Sequence, residues 1–169
     1  HWITNHGLTG ENPERMGTSN TILCPLRVFP TKTQPVFVAG TNDAFWRLLC
    51  TALGRKDWLE NERFNTNAGR VTHRALLVGM IEAYFMEHTA DELLDRLIPA
   101  GMPCSAAYKV SDVMASDHAR ARGSVLEIDY PGIGRVKSAA NPIKLSAAPV
   151  ETRQKSPGVG EHTVEIMRE

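Results

Sequence analysis

Cysteine is scarce: Cys24, Cys50 and Cys104 are the whole complement of 3, widely spaced and odd in number. That argues against a disulfide framework and for a reducing, cytoplasmic setting. Long apolar runs are missing too. None approaches the roughly 20 residues that cross a bilayer, so no membrane partner is expected. Neither sign of charge is in excess, with 19 basic and 19 acidic residues, so no sequence-independent pull toward nucleic acid or anionic lipid is implied. The 6 histidines are scattered without HxxxH or HExxH spacing and there is no CxxC; no metal site is expected. The phosphate-cradling GxxxxGKS/T and GxGxxG patterns and the Gly-x-Ser-x-Gly elbow are also absent.

What is present is a chain of 169 residues, long enough for one medium domain or a small one with extensions. Its densest signals lie between Val36 and Gly54. Val36–Ala39 is a β-branched and aromatic run that reads as a buried strand. Asn42 is placed to cap a helix, Asp43 puts negative charge at its positive end, and Gly54 is placed to stop it. Between them Phe45, Leu48, Leu49, Ala52 and Leu53 fall on one helical face.

Elsewhere the spacing is plainer. Residues 1–20 show no sustained period; Trp2 and Ile3 read as the end of a helix, followed by loop. His1 follows no initiator methionine, and the sequence reads as beginning partway through a larger protein. Cys24–Phe29 forms a strand joined to Val36–Ala39 by a turn holding Pro35 where no ladder N–H is needed. Lys56–Glu60 is a helical turn with Trp58 and Leu59 inward, and Phe64 pins the loop Asn61–Asn67. One long helix is expected over Ala68–His88, its stripe Val71, Arg74, Val78, Ile81 and Phe85 interrupted by Arg74 at the rim. Thr89 and Glu92 make a capping box for a short helix burying Leu93, Leu94, Leu97 and Ile98.

Met102–Ser105 turns into a further strand, and Ser111 and Ser116 each read as the cap of a short helix, the second closing at Gly123. Ser124–Tyr130 alternates as a half-buried strand, with Pro131–Gly134 turning it into Arg135–Ser138. Residues 139–159 should run extended, and Gly160–Thr163 opens a final helix. The expected class is α/β, of α+β-like character: a small mixed sheet with packed helices, then an extended C-terminal segment ending in a helix.

Four places invite chemistry. Asp43 is a carboxylate at a helix start, which is normally structural. Cys104 lacks a neighbour that would lower its pKa. Asp117-His118 lies on a short helix and reads as a solvated face, and His162 reads as part of a helix start. By spacing alone, no catalytic residue is assigned.

Taken in order, however, several blocks carry a resemblance. Gly17 and Pro25 keep a family spacing; Gly40-Thr41-Asn42-Asp43 continues with Phe45, Leu49, Cys50, Leu53 and Gly54; Trp58, Arg63-Phe64, Thr66-Asn67 and Arg70 come next. Gly101–Cys104, Arg122-Gly123, Pro157 and Gly160–Thr163 complete the series. Together they resemble the C-terminal part of a family III CoA-transferase, the group of formyl-CoA transferase, carnitine CoA-transferase and α-methylacyl-CoA racemase.

The resemblance implies a division into 1–20, a linker from a large Rossmann-like domain absent here; 21–138, a small α/β domain; and 139–169, a segment returning to the large domain. It implies coenzyme A as acyl-CoA substrate, carboxylic acid partners and an interlocked homodimer. The family's catalytic aspartate, which forms covalent intermediates, belongs to the large domain, as do most coenzyme A contacts and the racemases' proton-moving His and Asp. No residue here matches them, so this chain alone is expected to be inactive. In formyl-CoA transferase a glycine-rich loop over the reacting groups occupies the place of Gly17, Thr18, Ser19 and Asn20, which makes these the expected substrate lid. Thr18, Asn20, Thr21 and Leu26 stand where Asn, His, Pro and Tyr are commoner. A racemase-like parent is the alternative within the family. The rival outside it is a stand-alone interaction domain, which should bury Ile143, Leu145 and Ile166 within itself.

Overall fold

A computed structural model describes residues 2–12, 14–147 and 155–168. They form two compact units, His1–Ala107 and Tyr108–Glu169. In the first, helix α1 (Trp2–Thr9) precedes strands β1 (Leu26–Phe29) and β2 (Val36–Ala39), helices α2 (Asp43–Ala52) and α3 (Lys56–Leu59), and a 3-10 turn at Glu62–Phe64. Helices α4 (Asn67–Thr72), α5 (Arg74–Met86) and α6 (Ala90–Leu97) then lead to β3 (Cys104–Ala106). The strands lie in the order β1-β2-β3. Both pairings are antiparallel, with Val28 opposite Phe37 and Phe37 opposite Ser105, so this sheet is not the mixed one expected.

Helix α5 packs on β1, and α6 on β3 and α2. Phe29, Val36, Val38, Leu49, Leu77, Ile81, Phe85, Leu93 and Leu97 are fully buried between these elements. The rings of Phe29 and Phe85 lie 5.3 Å apart and tilted. An aromatic wall continues the core beneath α2 and α3: Trp46 stacks on Trp58 at 6.5 Å, and Phe64 meets Trp46 edge-on at 6.1 Å.

Several local expectations hold. Asn42 Oδ1 accepts the Phe45 N–H at 2.8 Å, and Gly54 takes φ +69°, a left-handed conformation that a Cβ would penalise. Thr89 and Glu92 form both bonds of the capping box.

Others are corrected. The buried face of α2 carries Trp46, Leu49, Cys50 and Leu53, one residue out of phase with the expected stripe, because Trp46 is drawn into the wall of Trp58 and Phe64. Ala90, not Ile98, completes the buried face of α6; Ile98 is 58% exposed. Residues 2–9 are helical although none of the helix is buried, so no apolar period marks it. The expected single helix over Ala68–His88 is two, α4 and α5, meeting at His73 with φ −100° and ψ 25°. Hydrogen bonds still run across the junction, from His73 N to Gly69 O at 2.9 Å and from Leu77 N to His73 O at 3.0 Å. Leu77, Ile81 and Phe85 make the buried face of α5, whereas the buried residue of α4 is Arg70, a change that a hydrophobic period does not report.

Two helical glycines make a controlled comparison. A Cβ at Gly69 would lie 2.5 Å from the backbone oxygen of Arg63, whereas at Gly79 it would meet nothing within 4 Å. Gly79→Ala should therefore stabilise by about 1 kcal/mol through helix propensity. Gly69→Ala should destabilise by roughly 1–3 kcal/mol despite the same propensity gain, because a backbone carbonyl must move. Urea midpoints of the two variants check this.

In the second unit, α7 (Val110–Ala115) and α8 (Asp117–Ala121) precede the hairpin β4 (Val125–Tyr130) and β5 (Gly134–Ala139), and α9 (Thr163–Ile166) comes last. The expected hairpin forms, with Ile128 opposite Val136. Ser116 caps α8 through Ala119 N at 3.1 Å, and Gly123 closes it at φ +54°. Ser111 is not a cap: it lies inside α7, where Asp112 Oδ2 accepts the Lys109 N–H at 3.1 Å instead. Ile143, Leu145 and Ile166 are 62%, 55% and 67% exposed.

Candidate functional site

The loop Gly17–Asn20 and the residues that hold it form the candidate site. The Ser19 N–H closes a turn on Met16 O at 3.0 Å, with Gly17 at φ +60°. Thr18 Oγ1 accepts the N–H of Val28 at 3.2 Å. Because β1 is an edge strand, this bond occupies a donor that no neighbouring strand pairs. Asn20 Oδ1 then accepts the N–H groups of Ile22 and Leu23 at 2.9 and 3.1 Å, an Asx-type turn that reverses the chain toward β1.

Three side chains from α4 and α5 grip the backbone of residues 20–24. Asn67 donates to Ile22 O at 2.8 Å and accepts from Cys24 N at 3.1 Å. Arg70 is wholly buried. It donates to Cys24 O at 2.8 Å, Phe64 O at 2.9 Å and Asp43 Oδ1 at 2.8 Å. Arg74 donates to Asn20 O, to Leu23 O at 3.2 Å and to Thr21 O at 2.7 Å. These contacts explain motif residues that carry no chemistry of their own. Asp43 and Arg70, from separate sequence blocks, are one ion pair, and Gly40 is required because a Cβ there would sit 2.9 Å from Pro25 Cδ and Pro25 O. The sequence reading missed Arg74 as an anchor, although a lone arginine in an apolar stripe was the available signal.

A recess of about 670 Å³ adjoins this region, lined by Trp2, His6, Glu11, Glu14, Met16 and Thr21 among others. Thr21 Oγ1 is buried and has no hydrogen-bond partner among the described residues.

The other candidates stand apart from this loop or are committed. The Asp43 carboxylate serves Arg70. The carboxylate of Asp117 pairs with Arg120 in its own helix, beside an exposed His118. His162 Nδ1 lies 3.4 Å from Glu165 Oε2 within the final turn. Glu161 closes the segment before it, accepting from Gly158 N at 2.6 Å and Lys155 Nζ at 2.7 Å, and the Lys155 ammonium holds its carboxyl below the usual range.

Burial pushes all three thiols up, Cys24 and Cys104 in direction and Cys50 to about 12. None is an activated nucleophile. A maleimide should therefore label half-buried Cys104 first and reach Cys24 and Cys50 only on unfolding, as mass spectrometry of quenched samples would show. The raised values also set a sign. Stability is unaffected below the unfolded thiol value of about 8.5 and falls above it, by up to roughly 1.4 kcal/mol per pH unit per buried thiol, because only the unfolded chain ionises.

Among the described residues, no group of three or more His, Cys, Asp and Glu could hold a metal ion, and no helix is long and apolar enough to cross a membrane.

Comparison with known proteins bears on what this architecture belongs to. Succinyl-CoA--D-citramalate CoA-transferase of Chloroflexus aurantiacus is 30% identical over 165 residues, 97% of this chain and 41% of that protein. Formyl-CoA:oxalate CoA-transferase of Rhodopseudomonas palustris is 33% identical over 129 residues, 76% of this chain and 30% of that protein. Among solved structures, a CAIB/BAIF family protein from Brucella suis superposes with a TM-score of 0.76 at 30% identity, over 99% of this chain and 43% of that one. The chain thus spans less than half the length of these relatives. A family model described as CoA-transferase family III matches residues 1–163, and the chain belongs to that family.

Proposed function

We propose that this chain is the small-domain part of an enzyme that moves coenzyme A between carboxylic acids. An acyl-CoA is then one substrate and a free acid the other. The aspartate that would carry the covalent intermediate lies outside this chain, in a large domain that the segment 139–169 meets, and two such subunits pair as a cytoplasmic homodimer. Gly17–Asn20 is the loop that covers the reacting groups. Support comes from the family match and from relatives whose names specify CoA transfer, each more than twice as long as the matched stretch.

One observation carries this reading over a self-sufficient interaction domain: Ile143, Leu145 and Ile166 are all exposed. Together with Val159, Val164 and Met167, also exposed, they give the C-terminal segment apolar surface that calls for a partner.

The test is an assay of the purified chain with succinyl-CoA or formyl-CoA and an acid acceptor, beside a chimera in which this chain replaces the matching stretch of the Chloroflexus relative. The chimera should transfer coenzyme A and the chain alone should not. Thioester exchange by the chain free of any longer species would overturn the proposal.

A further inference from the structure

The loop Gly17–Asn20 is held at its two ends by bonds of very different strength. At its tip, beside the local turn from Ser19 N to Met16 O, a neutral hydrogen bond ties it to the sheet, from Val28 N to Thr18 Oγ1 at 3.2 Å. At its far end the Arg74 guanidinium donates to three backbone oxygens, those of Asn20, Thr21 and Leu23. Asn67 and Arg70 continue the same grip onto Ile22 and Cys24. Charge-assisted bonds are roughly twice as strong as neutral ones, and the rigid fork of arginine serves several acceptors at once, which a lysine ammonium cannot match. A Cβ built on Gly17 meets nothing within 4 Å, so nothing packed against that residue prevents the tip from swinging.

We propose that Arg74 is the positioning residue of this loop. It fixes a hinge at Asn20–Leu23, so that motion is confined to Gly17–Ser19 and is released when the Thr18–Val28 bond opens. The hinge itself stands on these contacts; its consequence for catalysis rests on the proposed lid role of Gly17–Asn20. In that role, Arg74 touches no reacting atom and acts by returning the loop to one place after each opening.

Backbone amide hydrogen exchange on the chain itself tests this, with Thr18→Val, Arg74→Met and Arg74→Lys beside the wild type. Thr18→Val should speed exchange at residues 16–19 and at Val28 while leaving 21–24 unchanged. Arg74→Met should speed exchange at 21–24 by about tenfold or more, with residues 77–85 of α5 unchanged, and Arg74→Lys should restore part of the protection. If Arg74→Met loosens 77–85 as much as 21–24, or leaves 21–24 as protected as before, the hinge is wrong. Should Arg74→Met fail to fold, Arg74→Lys decides by the same comparison, since a protected core with a loosened 21–24 supports the hinge and uniform loss sinks it. Adding succinyl-CoA to the chimera separates the hinge from the lid. Slower exchange at 16–19 supports the lid, whereas no change there removes the lid and leaves the hinge standing.

Discussion

Arg70→Met should destabilise the chain by roughly 3–5 kcal/mol. The reason lies less in the ion pair than in what else the guanidinium does. Asp43 is 44% exposed at its side chain while Arg70 is fully buried, so water can rehydrate the carboxylate once its partner is gone. Cys24 O and Phe64 O lose a donor they shared with no solvent, and each unsatisfied buried acceptor costs about 1–3 kcal/mol. Asp43→Asn keeps an oxygen for Arg70 but leaves a wholly buried guanidinium without its counter-charge, and should cost less, about 1–3 kcal/mol. Arg70→Lys should fall between them, because one ammonium cannot reach three divergent oxygens. Urea unfolding with an unchanged slope measures all three. Equal losses for Asp43→Asn and Arg70→Met would show that the ion pair dominates and that the carbonyls matter little.

Truncating the aromatic wall should have an effect of the same size. Trp58 is fully buried. It lies parallel to Trp46, edge-on to Tyr84 at 5.8 Å, and beneath the Arg55 guanidinium at 4.0 Å. Trp58→Ala should cost about 3–5 kcal/mol, the removed contacts plus the cavity left among rigid rings. Trp58→Phe should cost only about 1–2 kcal/mol, since Trp58 Nε1 is buried without an acceptor among the described residues and no polar bond is given up. Tryptophan fluorescence during denaturation reads both variants. A loss below about 1 kcal/mol for Trp58→Ala would mean that Trp46 and Tyr84 close the gap, and that the wall is not rigid.

Much of this fold is legible in one dimension where the signal is local. The cap at Asn42, the stop at Gly54, the capping box of Thr89 and Glu92, and the β4–β5 hairpin each depend on a few consecutive residues. The misplacements are non-local. The phase of α2 is set by Trp58 and Phe64, which lie on other elements. The break at His73 lies in backbone angles that no side-chain period reports, and α1 buries nothing that a period could report.

The candidate site divides the same way. Which residue types stand in which order, and hence the family, was fixed by the sequence, because the blocks from Gly17 to Thr163 are recognised by identity and spacing. That Asp43 and Arg70 join two of those blocks, and that Arg74 reaches back to hold residues 20–23, was decided only by folding. Those partners are separated by 27 residues in the first case and by more than 50 in the second. The bonds from Arg74 end on backbone oxygens that every residue possesses, so no choice of side chain at the receiving end could announce them.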